Sequence, residues 1–249
     1  MKKQTDAFGQ SLWDAYSHRG SALHVIERDD GYVDPDDGAS YLRPPARWSA
    51  QERTALRLAR GRVLDIGCGA ARHSLFLQAG GLHVVGLDNS PLAIKTARAR
   101  GLKHTRRLSI TGISPAIGTF DTILMLGNNF GLFASFNQAR RFLRRFHRLT
   151  APAACIIAES NDIYQTKNPY HLAYHRRNRR RGRMAGQICF RVRYQHLASA
   201  YMDYLMVSPD EMRKIVQGTG WHVARLLPSS GSTYIAILEK DRPKPFPAK

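Results

Sequence analysis

From Ser49 to Glu159, short apolar runs alternate with amphipathic stretches. RVLDIG (62–67), HVVGLD (83–88), FDTILML (120–126) and AACIIAE (153–159) carry buried-strand patterns, and RRLSI (106–110) holds a weaker strand between the second and third of these. Helices fill the gaps. Ser49 and Glu52 form a capping box, and the helix they open is expected to stop at Gly61. The helix after RVLDIG should begin near Ala70 or Ala71, and Ser90 with Pro91 opens one that ends near Gly101. In 136–149, Phe136, Ala139, Leu143, Phe146 and Leu149 share one face, while Arg140, Arg144 and Arg148 stripe the other, flanked by Arg141 and Arg145.

The C-terminal third changes rhythm. A second capping box, Ser208 with Glu211, opens a helix that ends near Gly218–Gly220; WHVARLL and TYIAILEK around a PSSGS turn then read as an antiparallel hairpin. The expected fold is α/β: a doubly wound seven-stranded sheet, mostly parallel with an antiparallel C-terminal hairpin, plus an antiparallel insertion after the fifth strand. That insertion, 161–207, opens as a basic loop and continues as two extended segments, MAGQICFRVRYQ and ASAYMDYLMV. Residues 1–48 stand outside the repeat as a lid segment, with Phe8, Leu12, Trp13 and Tyr16 at helical spacing. Residues 49–240 make the main domain, and 241–249 are expected to be a disordered Pro/Lys tail. No internal repeat is visible.

Charge complicates this picture. The net charge is +19, and the run HRRNRRRGR (175–183) packs six arginines into nine positions. The acidic residues are also clustered: Glu27, Asp29, Asp30, Asp34, Asp36 and Asp37 crowd into eleven positions, out of 19 acidic residues in all. Such a surface attracts anions of every kind, nucleic acids included, without naming one. The apolar runs are strand-sized and the N-terminal lysines precede no apolar segment, so neither a membrane span nor a secretory signal is expected. Cys68, Cys155 and Cys189 lack metal-ligand or disulfide spacing. Reduced thiols in the cytoplasm and no metal site are the expectation.

The chemistry concentrates in VLDIGCGAARHS (63–74). A strand ends at an acidic residue, a Gly-x-Gly turn lets backbone approach a ligand, and a helix start follows. A nicotinamide dinucleotide site would want a small residue where Arg72 stands. Together with HVVGLDNSPLAIKTAR and FDTILMLGNNFGLF, the motif resembles those of class I S-adenosylmethionine-dependent methyltransferases, over about residues 49–160. The resemblance implies S-adenosylmethionine as cofactor. It implies that Asp65, Gly67, Cys68 and Gly69 surround the methionine part, with Cys68 a small filler. Asp88 would take both ribose hydroxyls, Asn89 would lie beside the adenine, and Gly127 and Asn128 would line the floor near the methyl group. Ser109, followed by Ile110, occupies the place where the family often has an aspartate for the adenine amino group.

LGNNFGLF is similar to the corresponding stretch of small-molecule N-methyltransferases, and it departs from the Asn/Asp-Pro-Pro-aromatic pattern of many base-methylating enzymes. Asn129, His171 and His175 are the residues expected to be catalytic, with Glu159, Asp162, Tyr164 and Tyr174 as further acceptor contacts. The acceptor expected is a small or medium-sized amine or hydroxyl compound, an anionic one if free arginines face it. The alternative is RNA, held by Arg176–Arg183 and the Arg140/Arg144/Arg148 stripe; a degenerate fold acting as a binding partner is opposed by the intact Asp65, Gly67, Gly69 and Asp88. Some arginines of the basic run are expected to face Glu27–Asp37 across the pocket.

Overall fold

The computed structural model describes residues 5–241. Its elements run α1 Ala7–His18, β1 Leu23–Arg28, β2 Val33–Asp37, α2 Ala50–Leu56, β3 Arg62–Ile66, α3 Arg72–Ala79, β4 His83–Asp88, α4 Pro91–Ala99, β5 His104–Arg107, β6 Phe120–Met125, α5 Phe136–Arg148 and β7 Thr150–Asn161. They continue with α6 Pro169–Arg180, β8 Gln187–Tyr194, β9 Leu197–Ala198, β10 Met202–Leu205, α7 Pro209–Val216, β11 Trp221–Pro228 and β12 Thr233–Lys240.

Seven strands make the main sheet, in the order β11-β12-β7-β6-β3-β4-β5. Its β3–β4, β3–β6, β4–β5 and β6–β7 pairs are parallel, and β12 joins β7 antiparallel. One apolar face packs Leu64, Ile123, Ile156 and Ala236 with Phe142, Leu143 and Phe146 of α5 and Ile215 of α7; the other packs Val63, Leu124 and Ile157 with Ala55 and Leu56 of α2 and Leu77 of α3. Coverage on both faces explains why these strands read as continuous apolar runs rather than alternating ones. The doubly wound sheet with its antiparallel hairpin is as expected. Both capping boxes are present, with reciprocal bonds between Ser49 and Glu52 and between Ser208 and Glu211.

Three sequence expectations need correction. The helix opened by Ser49 ends at Leu56 rather than Gly61; Arg57 to Arg60 turn back so that Arg60 can bond Thr122. The weak strand lies at His104–Arg107, earlier than RRLSI; its pairing with β4 runs out at Asp88–Arg107, where the Leu108 N–H donates to the Asp88 carbonyl. The basic run is not a loop. It forms the last turns of α6 and the turn after it, capped by Asn168 at the other end, where Pro169 occupies the first helical position. The expected tail lies outside the described residues, apart from Asp241.

A second sheet joins distant segments. β1 and β2 form a hairpin, β1 pairs antiparallel with β8, and β8 with β10 and β9. The acidic segment and the insertion therefore build one sheet of five strands. Directly paired residues share a face and successive ones alternate. The pairs His24–Asp36, Arg28–Phe190 and Met202–Phe190 accordingly put His24, Asp36, Phe190 and Tyr204 on one face. Phe8 and Ala15 of α1 pack with Phe190, Val192 and Tyr194, and Leu12, Ala70 and Ala93 form a small cluster linking α1 to the Gly-x-Gly turn and α4.

Candidate active site

Strand β3 ends in Asp65, which is 3% exposed and accepts a 2.6 Å bond from Ser74 Oγ. Burial pushes its carboxyl up to about 7 against that bond, and the Asp88 charge adds to the rise. The turn that follows needs left-handed backbone. Gly67 has φ +74°, and a Cβ there would stand 2.6 Å from Asn129 Nδ2. The Gly69 N–H and Ser90 N–H donate to the two Asp88 carboxylate oxygens at 3.0 and 2.9 Å. These bonds fix Asp88 over the turn, while burial holds its carboxyl above the ordinary range. Cys68 packs its sulfur towards Gly86, and burial keeps the thiol protonated, as befits a filler. Asn89 and Ser109 are exposed, and Ile110 is partly buried beside the core. The Ser109 hydroxyl is engaged with Thr111.

Just beyond the end of β6 stands Gly127, whose N–H donates to Glu159 Oε2 at 2.8 Å. Asn128 takes a left-handed conformation with φ 62°, and its carbonyl accepts a 2.6 Å bond from the Tyr204 hydroxyl. Asn129 Nδ2 donates to the carbonyls of Ile66 and Gly67 at 3.0 and 2.9 Å. Its amide nitrogen thus clamps the Gly-x-Gly turn.

The two histidines sit elsewhere. His171 meets Thr166 and the edge of Tyr32, and His175 faces Tyr164. Burial, aided by the charge of Arg179, lowers His175 to about 4. Tyr174 donates to Asp29 and ties α6 to the segment after β1, while Tyr164 donates to Glu211 and ties the turn after β7 to α7. Asp162 caps the short turn after β7.

Several residues at the site carried no motif signal. Arg72 bonds Glu52 at 2.9 Å and the Ser40 carbonyl at 3.4 Å, and His73 bonds the same Glu52 oxygen at 3.1 Å. Burial alone would raise Glu52, but the His73 bond and the Arg72 charge hold it down at about 2. Tyr41 donates to Asp36 Oδ2 at 2.7 Å, and Asp36 lies 3.6 Å from the fully buried His24. The Tyr41 hydroxyl is within electrostatic range of Tyr204 and Arg72. The N-terminal segment is also tied down by Asp6, which accepts from Gly9 N, Ser90 Oγ and Leu92 N at 3.0, 2.7 and 3.1 Å.

The expected meeting of basic and acidic stretches occurs at one arginine of the run: Arg177 lies 3.3 Å from Asp29. Glu27 pairs instead with Arg191 and Arg193, and Arg176, Arg179, Arg180 and Arg181 are exposed. The stripe on α5 is partly used within the protein. Arg140 donates to the carbonyls of Lys214, Ile215 and Gln217, capping α7, and Arg145 to those of Thr111 and Ile113.

Comparison with known proteins agrees with this geometry. The Methyltransferase domain family matches residues 63–153. The chain superposes on a SAM-dependent methyltransferase from Bacteroides fragilis, solved in complex with S-adenosyl-L-homocysteine, with a TM-score of 0.82 and 25% identity, covering 96% of this chain and 97% of that one. It shares its fold with the CcbJ methyltransferase from Streptomyces caelestis at a TM-score of 0.62 and 12% identity, over 95% and 98% of the two chains. A tRNA U34 carboxymethyltransferase from Shewanella denitrificans is 37% identical over 90 residues, 32% of this chain, and the chain spans only 27% of that enzyme. The chain is a class I S-adenosylmethionine-dependent methyltransferase. No helix among the described residues is long and apolar enough to cross a membrane.

Proposed function

We propose that this enzyme methylates a small or medium-sized acceptor carrying an amine or hydroxyl group. The observation that carries this reading is the second sheet. Segments 23–37 and 187–205 join in one sheet, whose Tyr204 bonds the Asn128 carbonyl beyond β6, and α1, Asp6 and the Arg72–Ser40 bond fasten the N-terminal part onto the Gly-x-Gly turn. In this reading, residues 1–48 and 161–207 together form a lid over a main domain of 49–240, and they enclose an acceptor of limited size.

The residues fit the cofactor. Asp88, fixed by two backbone N–H groups, retains lone pairs for a ribose diol. Asp65 is a buried carboxylate paired only with a hydroxyl, suited to an ammonium. Gly67, Cys68 and Gly69 let backbone approach, with Asn89, Ser109 and Ile110 on the adenine side and Gly127 and Asn128 on the methyl side. S-adenosylmethionine, when bound, supplies a methyl group already activated by its sulfonium. The protein's task is then to orient the acceptor in line and exclude water. Asn129 serves by holding the Gly67 carbonyl, and we assign no direct contact with the reacting atoms to His171 or His175.

A second reading, RNA methylation, is favoured by the exposed arginines of α6 and by the match to a tRNA enzyme. Labelled S-adenosylmethionine offered separately to metabolite, tRNA, rRNA and protein fractions tests both. Label in the metabolite fraction is expected; label confined to RNA would overturn the leading reading.

A further inference from the structure

Glu159 is a partly exposed carboxylate without a counter-charge. It ends the apolar part of β7, where Gly127 N–H donates to it at 2.8 Å and the Asn128 N–H also reaches it. Among the described residues no lysine, arginine or histidine forms an ion pair with it. The cation whose field it feels, Arg72, is bonded to Glu52. Next to it, the side-chain oxygen of Asn128 is buried with no hydrogen-bond partner. Tyr204 bonds the Asn128 carbonyl and feels the Glu159 charge; Tyr41 in turn feels Tyr204 and Arg72. Glu159, Asn128 and Tyr204 are thus linked beyond the end of β6, where the acceptor side of the site lies in the reading above.

We propose that the acceptor is a cationic amine whose ammonium is received by the Glu159 carboxylate and the Asn128 side-chain oxygen. The inference rests on the small-acceptor reading and deepens it. The Glu159 carboxylate has no cation paired with it, and the buried Asn128 oxygen without a donor is costly. An ammonium answers both, because it brings a positive charge and up to three N–H donors. An alcohol brings one donor and no charge. A carboxylate or phosphate on the acceptor would be repelled here, and the arginines that suggested an anionic acceptor lie on α6, paired with Asp29 or exposed.

The chemistry balances with Glu159 as the base. One proton passes from the ammonium to Glu159, which frees the nitrogen lone pair. That pair forms the N–C bond as the methyl–sulfur bond breaks, and the electrons of the broken bond stay on sulfur. The products are the methylated amine, the thioether S-adenosylhomocysteine and a proton that Glu159 returns to water. Burial holds the Glu159 carboxyl above the ordinary range, against the bonds from Gly127 and Asn128, and a raised carboxyl is the better proton acceptor.

The test splits a metabolite extract on a cation exchanger before incubation with enzyme and labelled S-adenosylmethionine. Label is expected in the retained, amine-bearing fraction. Label confined to the flow-through overturns this inference and leaves the small-acceptor reading standing; label confined to RNA overturns both. With the retained fraction as substrate, Glu159→Gln is expected to lower the rate by about 30-fold or more, while calorimetric affinity for S-adenosylhomocysteine stays within about threefold. A variant that binds S-adenosylhomocysteine normally and keeps more than about a third of the rate removes Glu159 from this role. If Glu159→Gln fails to fold, the partition of label by the unaltered enzyme still decides the acceptor class.

Discussion

Replacing Asp65 by asparagine should make the ligand-free protein more stable and destroy its response to cofactor. The Asp65 carboxyl stands at about 7 in the folded chain, against about 3.9 in an unfolded one. A carboxyl raised on folding contributes stability that is complete below about pH 4 and is lost as pH rises through about 7. At pH 8 the folded protein therefore holds a buried charge that costs about 4 kcal/mol, since each tenfold change in proton affinity is worth roughly 1.4 kcal/mol. At pH 5 the cost is only about 1.5 kcal/mol. Asparagine removes the charge and keeps an oxygen that can accept the Ser74 hydroxyl, which donates to Asp65 at 2.6 Å.

For a chain of 249 residues, each kcal/mol is worth about 2 °C in Tm. Asp65→Asn should thus melt roughly 8 °C above the unaltered protein at pH 8 and roughly 3 °C above it at pH 5. Thermal unfolding of dialysed protein measures this directly. Adding S-adenosylhomocysteine at about 100 times its Kd should stabilise the unaltered protein by about 2.7 kcal/mol and leave the variant unmoved. A variant less stable than the parent at pH 8, or a gap independent of pH, would refute the reasoning.

Gly67→Ala places a Cβ at φ +74° and 2.6 Å from Asn129 Nδ2; calorimetry should show at least about tenfold weaker binding of S-adenosylhomocysteine, with circular dichroism unchanged. Glu52→Gln removes a carboxylate held at about 2 by His73 and Arg72 against the effect of burial. Because a lowered carboxyl stabilises above its unfolded pKa and loses that contribution as pH falls through about 2, urea unfolding should show a deficit of about 2–3 kcal/mol at pH 7 that closes towards pH 2. Asp6→Ala strips the cap from α1 and the bonds to Ser90 and Leu92; a loss of about 1–2 kcal/mol in urea unfolding is expected, with faster proteolysis of the N-terminal segment as a second readout.

The main sheet was legible because its signals are local. Pro91 behind a serine cap, the Ser49–Glu52 and Ser208–Glu211 boxes and the apolar runs of β3, β4, β6 and β7 each act within a few residues. The Gly-x-Gly turn was legible for the same reason, since it directly follows β3, which pairs in parallel with β4. The contacts of the expected catalytic residues were not. Asn129 Nδ2 donates to two backbone carbonyls, and His171 and His175 belong to a helix that meets Asp29 through Tyr174 and Tyr32 through His171.

The sequence by itself determined the alternation of strands and helices and the Gly-x-Gly turn after β3. Both rest on spacing within short segments. Tertiary structure decided which distant segments meet. Pairing of β1 with β8 brings residues more than 160 positions apart into one sheet. It decided, too, that Arg72 is neutralised by Glu52 while Glu159 is left without a cation. Those outcomes depend on desolvation and on which charges meet across the fold, and neither quantity is written in local spacing. The six-arginine run that dominates the sequence is mostly exposed surface, while Glu159 at the end of the apolar part of β7 has no ion-pair partner among the described residues.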